Sequence, residues 1–360
     1  MRMNIGIIGT GQLGFMMINE GRRLGNRYLV LDSNGVGPAS LIADAHFSPE
    51  EYRKFVDESD VVTFEFEHVM EEALIYAQSQ KKLFPGIEAV DLKKDRSKEK
   101  DFLTDHGLPV AEYRKADSFN EALRYARDFG RAVIKNAYGG YDGKGQVIYD
   151  GGVTEELHGE KFVVEEFIDF DYEASIIAVR DREGNFTYFD PTYNYNREAI
   201  FIYNAAPTEE LVMPDMARKL LEALDYHGVM GIEFYVRNRQ VIINEYAPRV
   251  HNSGHHTLLG SSVSQFEEHL RAISGMPVPK PILYRPSSSV NILGQDLNQD
   301  KVKKILSLGE SEIYWYGKAG IRRRRKVGHV NLTGYTREKL DHRIASVMDI
   351  LYPDGVQNYI

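Results

Sequence analysis

The sequence contains no cysteine among its 360 residues. Disulfide bonds, zinc sites built on thiolates and cysteine nucleophiles are therefore excluded together. Apolar runs of the roughly 18–20 residues that a membrane-spanning helix needs are also missing. The first residues, MRMNIGIIG, enter a predicted strand without room for a signal peptide. We therefore expect a cytoplasmic protein that has no membrane partner.

An excess of positive charge is lacking too. The formal net charge is −9, which favours solubility and argues against a general nucleic-acid binder. Hydrophobic residues make up 42% and charged residues 27%, as in an ordinary globular protein. Because 360 residues exceed the size at which a single hydrophobic core stops growing, we expect two or three domains.

A glycine pattern stands near the start of the chain. Gly9, Gly11 and Gly14 have the G-x-G-x-x-G spacing, between an apolar run and a helix-like run. Asp32 ends the next apolar run, where a dinucleotide-binding fold keeps its ribose-binding acid. Taken alone, this pattern predicts an NAD-dependent oxidoreductase or a non-catalytic nucleotide sensor. Both alternatives leave the motifs further along the chain without a purpose.

Apolar runs and helix-like segments alternate over residues 1–90, a pattern typical of a parallel sheet covered on both faces. We expect an α/β N-terminal domain, an α+β middle part and a small C-terminal cap. The further predicted elements are a charged helix at 93–109, a glycine-rich loop at 139–146, a helix at about 208–226, a hairpin at 228–248 that turns at Asn238, and short strands with a final helix after about 285.

The glycine-rich loop, GGYDGKGQ, places four glycines in eight residues between two strands. Glycine lets backbone N–H groups approach an anion and lets the loop close over it, and Lys144 adds positive charge. The alternative is a flexible hairpin tip. Lys135 lies in the apolar strand just before the loop, where an unpaired ammonium group is costly to bury. We expect it to face an anion, unless it is an edge lysine that reaches solvent.

Two carboxylates, Glu233 and Glu245, lie on the adjacent strands of the predicted hairpin among apolar neighbours. With Asn244 they offer the oxygen ligands that Mg²⁺ prefers alongside substrate phosphates. Solvated side chains, or ion pairs with Arg237 or Arg239, are the alternatives. The Walker motif G-x-x-x-x-G-K-[ST] is absent from the chain. Together these features predict a Mg²⁺–ATP site of another kind.

The segment APRVHNSGHHT follows Glu245 directly. Arg249 can clamp a planar oxyanion through two parallel hydrogen bonds. Beside a γ-phosphate, Arg249 and His251 would hold a phosphorylated acyl group. His251, His255 and His256 could instead indicate zinc, which the lack of thiols and the glutamate pair make the weaker interpretation.

A basic run, KAGIRRRRK, extends from Lys318 to Lys326. A solvated basic turn and a nucleic-acid contact are possible interpretations. Because the chain is acidic overall and no aromatic residue interrupts the run, a small phosphorylated substrate is the better prediction.

Several stretches match one family in order, among them GTGQLGFM, TFEFEHV, DRSKEK, GGYDGKGQ, NEYAPRVHNSGHHT and RKVGHVN. The chain thereby resembles, over nearly its whole length, the 5-(carboxyamino)imidazole ribonucleotide synthases, which are ATP-grasp enzymes of purine biosynthesis. The resemblance implies ATP- and bicarbonate-dependent carboxylation of 5-aminoimidazole ribonucleotide through carboxyphosphate, by a homodimer. The implied domains are a Rossmann-like pre-ATP-grasp domain at 1–92, an ATP-grasp domain at 93–283 and a small C-terminal domain at 284–360.

The resemblance also implies site residues. It implies that the first glycine pattern faces the ribonucleotide substrate instead of NAD. Mg²⁺, or Mn²⁺ as an alternative, would bind Glu233 and Glu245. Arg249 and His251 would hold bicarbonate and carboxyphosphate, with Asp142 and Lys318 as further catalytic residues. ATP would contact Arg96, Lys135, Gly140, Tyr141, Asp142, Gly143, Lys144, Gly145, Gln146, Glu165, Glu166, Phe167, Ile168, Glu173, Asn196, Asn244 and Glu245. The ribonucleotide would contact Gln12, Leu13, Glu65, Tyr141, Asp142, Arg249 and His251, and its phosphate would contact Lys318, Arg325 and Lys326.

Several positions depart from the usual family pattern: Thr10, Phe15, Asn196, Val250 and the run GIRRRRK, which has arginine where the family often has Pro-Gly. None of these removes a metal ligand, Arg249 or His251, so we expect the reaction class to be kept. The alternative within the class is an ATP-grasp ligase that acts on another purine intermediate, such as a formate-using transformylase.

Overall fold

The computed structural model describes residues 2–32, 35–139, 145–153, 155–318 and 320–360. Within these ranges the chain forms three β-sheets with helices packed against them. No helix in the described part of the chain has the length and apolar character needed to cross a membrane.

The N-terminal sheet is parallel, as the alternating pattern predicted. In this sheet the first strand lies between the second and the fourth. The third strand pairs with the other side of the second and forms an edge. The strands are β1 (Asn4–Ile8), β2 (Arg27–Leu31), β3 (Ala45–Phe47) and β4 (Val61–Phe64), and the helices are α1 (Gln12–Gly21), α2 (Tyr52–Glu58), α3 (Glu71–Ser79) and α4 (Ile87–Lys94).

The single charged helix predicted at 93–109 is wrong. The structure has α4 and a second helix, α5 (Arg96–Asp105), with an extended residue, Asp95, between them (φ −124°, ψ 103°). The Asp95 side chain accepts hydrogen bonds from the backbone N–H groups of Ser97 (2.9 Å) and Lys98 (3.4 Å). A carboxylate that caps a helix start in this way favours a new helix over continuation of the old one.

A small antiparallel sheet follows and carries Lys135 on one of its two inner strands. Helix α6 (Phe119–Phe129) packs on this sheet, and its end at Gly130 matches the glycine's left-handed φ of 79°. The strands are β5 (Tyr113–Ala116), β6 (Arg131–Asn136), β7 (Gln146–Asp150) and β8 (Phe162–Glu166), in the order β5-β8-β6-β7.

The largest sheet runs from the predicted ATP-grasp domain into the predicted C-terminal domain. The strand Ile200–Ala205 pairs with the strand Ser287–Leu293, so one sheet crosses the predicted boundary at 283, which stays a prediction. Its strands are β9 (Tyr172–Arg180), β10 (Phe186–Tyr188), β11 (Thr192–Arg197), β12 (Ile200–Ala205), β13 (Gly228–Arg237), β14 (Gln240–Ala247), β15 (Ser287–Leu293), β16 (Ser311–Trp315) and β17 (Lys326–Thr333). Their order is β14-β13-β9-β11-β12-β15-β17-β16, with β10 on β9.

One helix of this part is shorter than the sequence pattern suggested. The helix predicted at about 208–226 covers only Met213–Ala223. Helices lie at α7 (Met213–Ala223), α8 (Thr257–Gly260), α9 (Gln265–Ile273), α10 (Gln299–Ser307) and α11 (Arg337–Leu351), with short 3₁₀ helices at Arg22–Leu24, Pro38–Leu41, Pro49–Glu51, Asn252–Gly254 and Val356–Asn358.

Helix α1 of the N-terminal sheet packs directly on α9, which in turn packs on β13. At this contact Gly21 is buried, and a Cβ atom there would overlap Tyr28 Oη and Leu270 Cδ1. Tyr28 and Leu270 are both fully buried, so neither has room to move away. The close approach of α1 and α9 therefore depends on a glycine.

We predict that Gly21→Ala lowers the melting temperature by several degrees. Overpacking costs about 1–3 kcal/mol. Alanine gains about 1 kcal/mol over glycine in a helix interior, and less is expected at Gly21 because it is the last residue of α1. The matched control is Gly152→Ala, because a Cβ atom at Gly152 meets nothing within 4 Å. Thermal unfolding followed by circular dichroism measures both variants. An unchanged or raised melting temperature for Gly21→Ala would show that the interface is not tightly packed.

Candidate active site

The β13–β14 hairpin brings the predicted metal ligands together. Asn238 and Arg239 form its two-residue turn with positive φ values of 49° and 65°, the geometry that matches strand twist in tight hairpins. From this turn the register places Glu233 directly opposite Glu245. The predicted pair on adjacent strands is confirmed.

A bulge in this hairpin gives the site a third polar side chain. Glu233 pairs with Glu245 but the next residue, Phe234, pairs with Ile243, so Asn244 is the extra residue. A bulge re-aims side chains that would otherwise alternate between the two faces of a sheet. As a result Asn244 and Glu245, although adjacent in sequence, both line one cavity.

That cavity has a volume of about 510 Å³ and is lined by residues from the N-terminal part, the small sheet and the large sheet. Twelve of the predicted site residues line it. They are Arg96, Lys135, Gln146, Phe167, Glu173, Asn196, Glu233, Asn244, Glu245, Arg249, His251 and Lys326.

The charge of Glu245 is balanced by a lysine that the sequence analysis missed. Lys93 Nζ lies 2.6 Å from Glu245 Oε2 and 3.2 Å from Glu99 Oε1. Burial alone would lower the pKa of Lys93, but the carboxylates of Glu245 and Glu99 raise it, so the ammonium group stays charged. Burial would raise the pKa of Glu245, yet Lys93 holds it below its usual range.

Glu233 is the uncompensated member of the pair. Burial and the nearby carboxylates of Glu245 and Glu173 raise its pKa. Among the described residues, no group of three or more His, Asp or Glu side chains is arranged to hold a metal ion. A divalent cation at Glu233 and Glu245 would therefore take its remaining ligands from phosphate oxygens and water, as Mg²⁺ commonly does.

Lys135 faces the cavity from β6 and is held by a buried carboxylate. Glu165 Oε1 lies 2.9 Å from Lys135 Nζ, and Glu165 Oε2 lies 3.0 Å from Lys100 Nζ. Although burial raises the pKa of Glu165, the two ammonium groups bring it down to about 2. The anion that the sequence predicted for Lys135 is thus a protein carboxylate, and Glu165 acts by orienting Lys135.

The remaining predicted ATP contacts divide into three groups: those that line the cavity, those that do not, and those outside the described residues. Glu173 lines the cavity and accepts a hydrogen bond from the side-chain amide of Asn196, while burial raises the pKa of Glu173. Arg96 donates from Nη1 to the backbone carbonyls of Asn136 (2.8 Å) and Gly139, and so holds the start of the glycine-rich loop. Gly145, Glu166 and Ile168 do not line the cavity. Gly140, Tyr141, Asp142, Gly143 and Lys144 lie outside the described residues.

Arg249 and His251 approach the cavity from the segment after β14. Arg249 Nε lies 3.1 Å from Oε1 of Glu67, a buried carboxylate that also lines the cavity. Burial and the neighbouring cation of Arg249 lower the pKa of His251 to about 3, so its ring is neutral near pH 7.

The hydrogen bonds around His251 assign its tautomer. The backbone N–H of Ser253 donates to Nδ1 at 3.4 Å, which makes Nδ1 an acceptor. Nε2 then carries the proton and lies 3.4 Å from Glu233 Oε1. His251 is therefore placed to donate towards Glu233, the predicted metal ligand.

The glycine pattern at the start of the chain binds a carboxylate of the protein itself. The backbone N–H groups of Gly11 and Gly14 donate to Glu65, the latter at 2.9 Å. These donors open helix α1, where the pyrophosphate of a dinucleotide would lie. Because Glu65 uses them, the geometry speaks against the NAD alternative. Gln12 and Leu13 begin α1 beside this contact.

The predicted phosphate contacts of the ribonucleotide lie near the start of β17. Lys318 Nζ donates to the backbone carbonyl of Lys326 at 3.0 Å, and Arg325 Nη1 donates to that of Gly320 at 2.9 Å. Lys326 itself lines the cavity. The structure therefore brings Lys318 and Lys326 together at the rim of the site.

Sequence reasoning missed Lys93, Lys100 and Glu67, each of which pairs with a predicted site residue. Lys93 and Lys100 lie in a charged helical stretch that has the appearance of a solvated surface. Glu67 is in the matched stretch TFEFEHV, where only Glu65 was singled out. Only the tertiary partners distinguish these residues from surface charges.

Three family models match the chain: a ribonucleotide synthetase preATP-grasp domain over residues 1–94, an ATP-grasp domain over 101–266 and a phosphoribosylaminoimidazole carboxylase C-terminal domain over 287–343. The chain is 47% identical to N5-carboxyaminoimidazole ribonucleotide synthase of Saccharolobus solfataricus, over 98% of this chain and 97% of that protein.

Solved structures agree with this assignment. The phosphoribosylaminoimidazole carboxylase ATPase subunit of Aquifex aeolicus is similar with a TM-score of 0.85 and 40% identity, covering 97% of this chain and 99% of that one. The N5-carboxyaminoimidazole synthase of Aspergillus clavatus, in complex with ADP and 5-aminoimidazole ribonucleotide, has a TM-score of 0.86 and 26% identity, covering 97% and 98%. The predicted ATP-grasp fold is confirmed, and the chain belongs to the N5-carboxyaminoimidazole ribonucleotide synthase family of ATP-grasp ligases.

Proposed function

We propose that the chain uses ATP and bicarbonate to carboxylate the amino group of 5-aminoimidazole ribonucleotide through carboxyphosphate. The products are 5-(carboxyamino)imidazole ribonucleotide, ADP and phosphate. The observation that supports this most directly is that Glu233, Glu245, Lys135 and Arg249 line one cavity. A homodimer and a cytoplasmic location are further parts of the proposal, and they rest on the family resemblance.

Glu233 and Glu245, with Asn244 beside them, would hold Mg²⁺, or Mn²⁺ in its place. The donor set fits such an ion because it consists of oxygen ligands. Among the described residues, the side chain within salt-bridge distance of Glu233 is His251, which is neutral near pH 7. When bound, the ion neutralises charge that develops on the transferring phosphoryl group. Lys135 adds a fixed positive charge to the same cavity, oriented by Glu165.

Bicarbonate is a poor electrophile, and transfer of the γ-phosphate makes its carbon open to attack by an amine. Arg249 would hold bicarbonate and then carboxyphosphate, with its orientation fixed by Glu67. His251 is neutral, so it would act as a hydrogen-bond donor from Nε2 and not as a cation. Holding the reactants close together and correctly oriented in this way accelerates the reaction.

The ribonucleotide would lie between the start of α1 and the start of β17. Glu65, pinned by the backbone of Gly11 and Gly14, would present its carboxylate towards the ribose or the amine. Lys318, Arg325 and Lys326 would neutralise the 5′-phosphate. Asp142 remains a predicted orienting group for the amine, on the segment outside the described residues.

We predict that ADP release from Mg²⁺–ATP and bicarbonate rises strongly when 5-aminoimidazole ribonucleotide is added. A coupled assay of ADP measures it, with formate replacing bicarbonate in a parallel reaction. Stimulation by the ribonucleotide in the bicarbonate reaction, and not in the formate reaction, supports the proposal. Stimulation that requires formate would favour the transformylase alternative. No stimulation in either reaction would show that the acceptor is wrongly assigned.

We predict that Glu245→Gln lowers kcat for ADP formation by about 100-fold or more, because several kcal/mol of charge stabilisation depend on the bound ion. Glu222→Gln, which changes an exposed carboxylate on α7, is the matched control and should keep wild-type turnover. Circular dichroism confirms that both variants are folded. Near-wild-type turnover in Glu245→Gln would remove this residue from the metal site.

A further inference from the structure

The backbone of His251 is hydrogen-bonded by a side chain where a neighbouring strand would normally do so. His251 has extended geometry (φ −127°, ψ 154°) and precedes the 3₁₀ helix Asn252–Gly254. Gln265 Oε1 accepts a hydrogen bond from the His251 backbone N–H at 2.8 Å. Gln265 Nε2 donates to the His251 carbonyl at 2.6 Å. One amide thus makes both of the hydrogen bonds that a paired strand would supply.

The Gln265 amide is itself firmly held. The residue is fully buried at the first position of α9, and its backbone N–H donates to Thr257 Oγ1 at 3.0 Å. Its Nε2 also lies 3.3 Å from His255 Nδ1. Gly254 leaves room for it, because a Cβ atom at Gly254 would overlap the Gln265 amide. Helix α9 packs between α1 and β13, so the amide is anchored to the interior of the protein.

Other side chains hold the rest of this segment independently. Asn204 Nδ2 donates to the Ser253 carbonyl at 2.5 Å, and Asn331 Nδ2 donates to the His255 carbonyl at 2.8 Å. Without Gln265 the His251 backbone N–H would lose its side-chain acceptor, and the His251 carbonyl would keep only the N–H of Gly254 at 3.0 Å. Loss of the Gln265 hydrogen bonds would therefore loosen the His251 end while the remainder stays bound.

We infer that Gln265 is a positioning residue for the carboxylation step: its amide fixes the backbone of His251 and thereby the places of the His251 and Arg249 side chains. Gln265 does not line the cavity, so it acts through these two residues and not on a substrate. The inference rests on the function proposed above. Its consequence is that Gln265 determines how much of the ATP cleaved leads to a carboxylated ribonucleotide.

The test is Gln265→Met, which keeps the length of the side chain and removes both hydrogen bonds. We measure consumption of the ribonucleotide's free amino group per ADP released, together with the KM values for bicarbonate and ATP. The expected result is a fall in this ratio by about tenfold, the scale of effect of a small displacement in a reactive site. The KM for bicarbonate should rise while the KM for ATP stays within about twofold. Arg249→Ala serves as a reference: it gives the ratio of amine consumed to ADP released when the contact with carboxyphosphate is lost.

The matched control is Gln295→Met, which removes a buried amide that accepts a hydrogen bond from Lys301 at 2.5 Å, away from the cavity. It should lower the melting temperature without changing the ratio. If Gln265→Met does no more than this control, the inference is overturned.

Gly254→Ala provides a second test that leaves Gln265 in place. The added methyl group displaces the Gln265 amide from His251, so the same loss of coupling is expected. If Gln265→Met fails to fold, this variant decides, and wild-type coupling in it overturns the inference. Failure of the proposed function is distinguishable, because the wild-type protein would then show no ADP release coupled to the ribonucleotide.

Discussion

The site depends on one unfavourable contact, the placement of Glu233 directly opposite Glu245 in an antiparallel pair of strands. Like charges at such positions repel, and burial makes the repulsion costlier. Lys93 offsets part of this cost, because it stabilises Glu245 in its charged form. Burial and the carboxylates of Glu245 and Glu173 still raise the pKa of Glu233. In the function proposed above, a divalent cation would relieve this repulsion, and the hairpin would be preorganised for a metal–nucleotide complex.

The other charges of the site follow from the same constraint of burial. Lys93 is shared between Glu245 and Glu99, and Glu165 is shared between Lys100 and Lys135. Pairing of this kind places each buried charge beside an opposite charge. The network also links α4 and α5 to the small sheet and the large sheet, so the geometry of the cavity depends on how these parts pack.

The sequence predicted those features of the site that depend on residues close together in the chain. The turn at Asn238 determines the register of the hairpin, and the register determines that Glu233 meets Glu245. The segment that follows Glu245 indicated Arg249 and His251, which line the same cavity. Partners distant in sequence were not predictable: nothing near Lys93 indicates that it meets Glu245, and nothing near Gly11 indicates that Glu65 binds its backbone N–H. The helix break at Asp95 was missed because it depends on the Asp95 carboxylate, which caps the backbone N–H groups at the start of α5.

Binding of Mn²⁺ in the presence of a non-hydrolysable ATP analogue tests the central claim most directly. Electron paramagnetic resonance measures free Mn²⁺, and Glu233→Gln is compared with the wild-type protein and with Glu222→Gln. The account predicts that Glu233→Gln weakens Mn²⁺ binding by about tenfold or more, or at least about 1.4 kcal/mol, while Glu222→Gln binds as the wild type does. Equal Mn²⁺ affinity in all three proteins would contradict the assignment of the paired glutamates as the metal site.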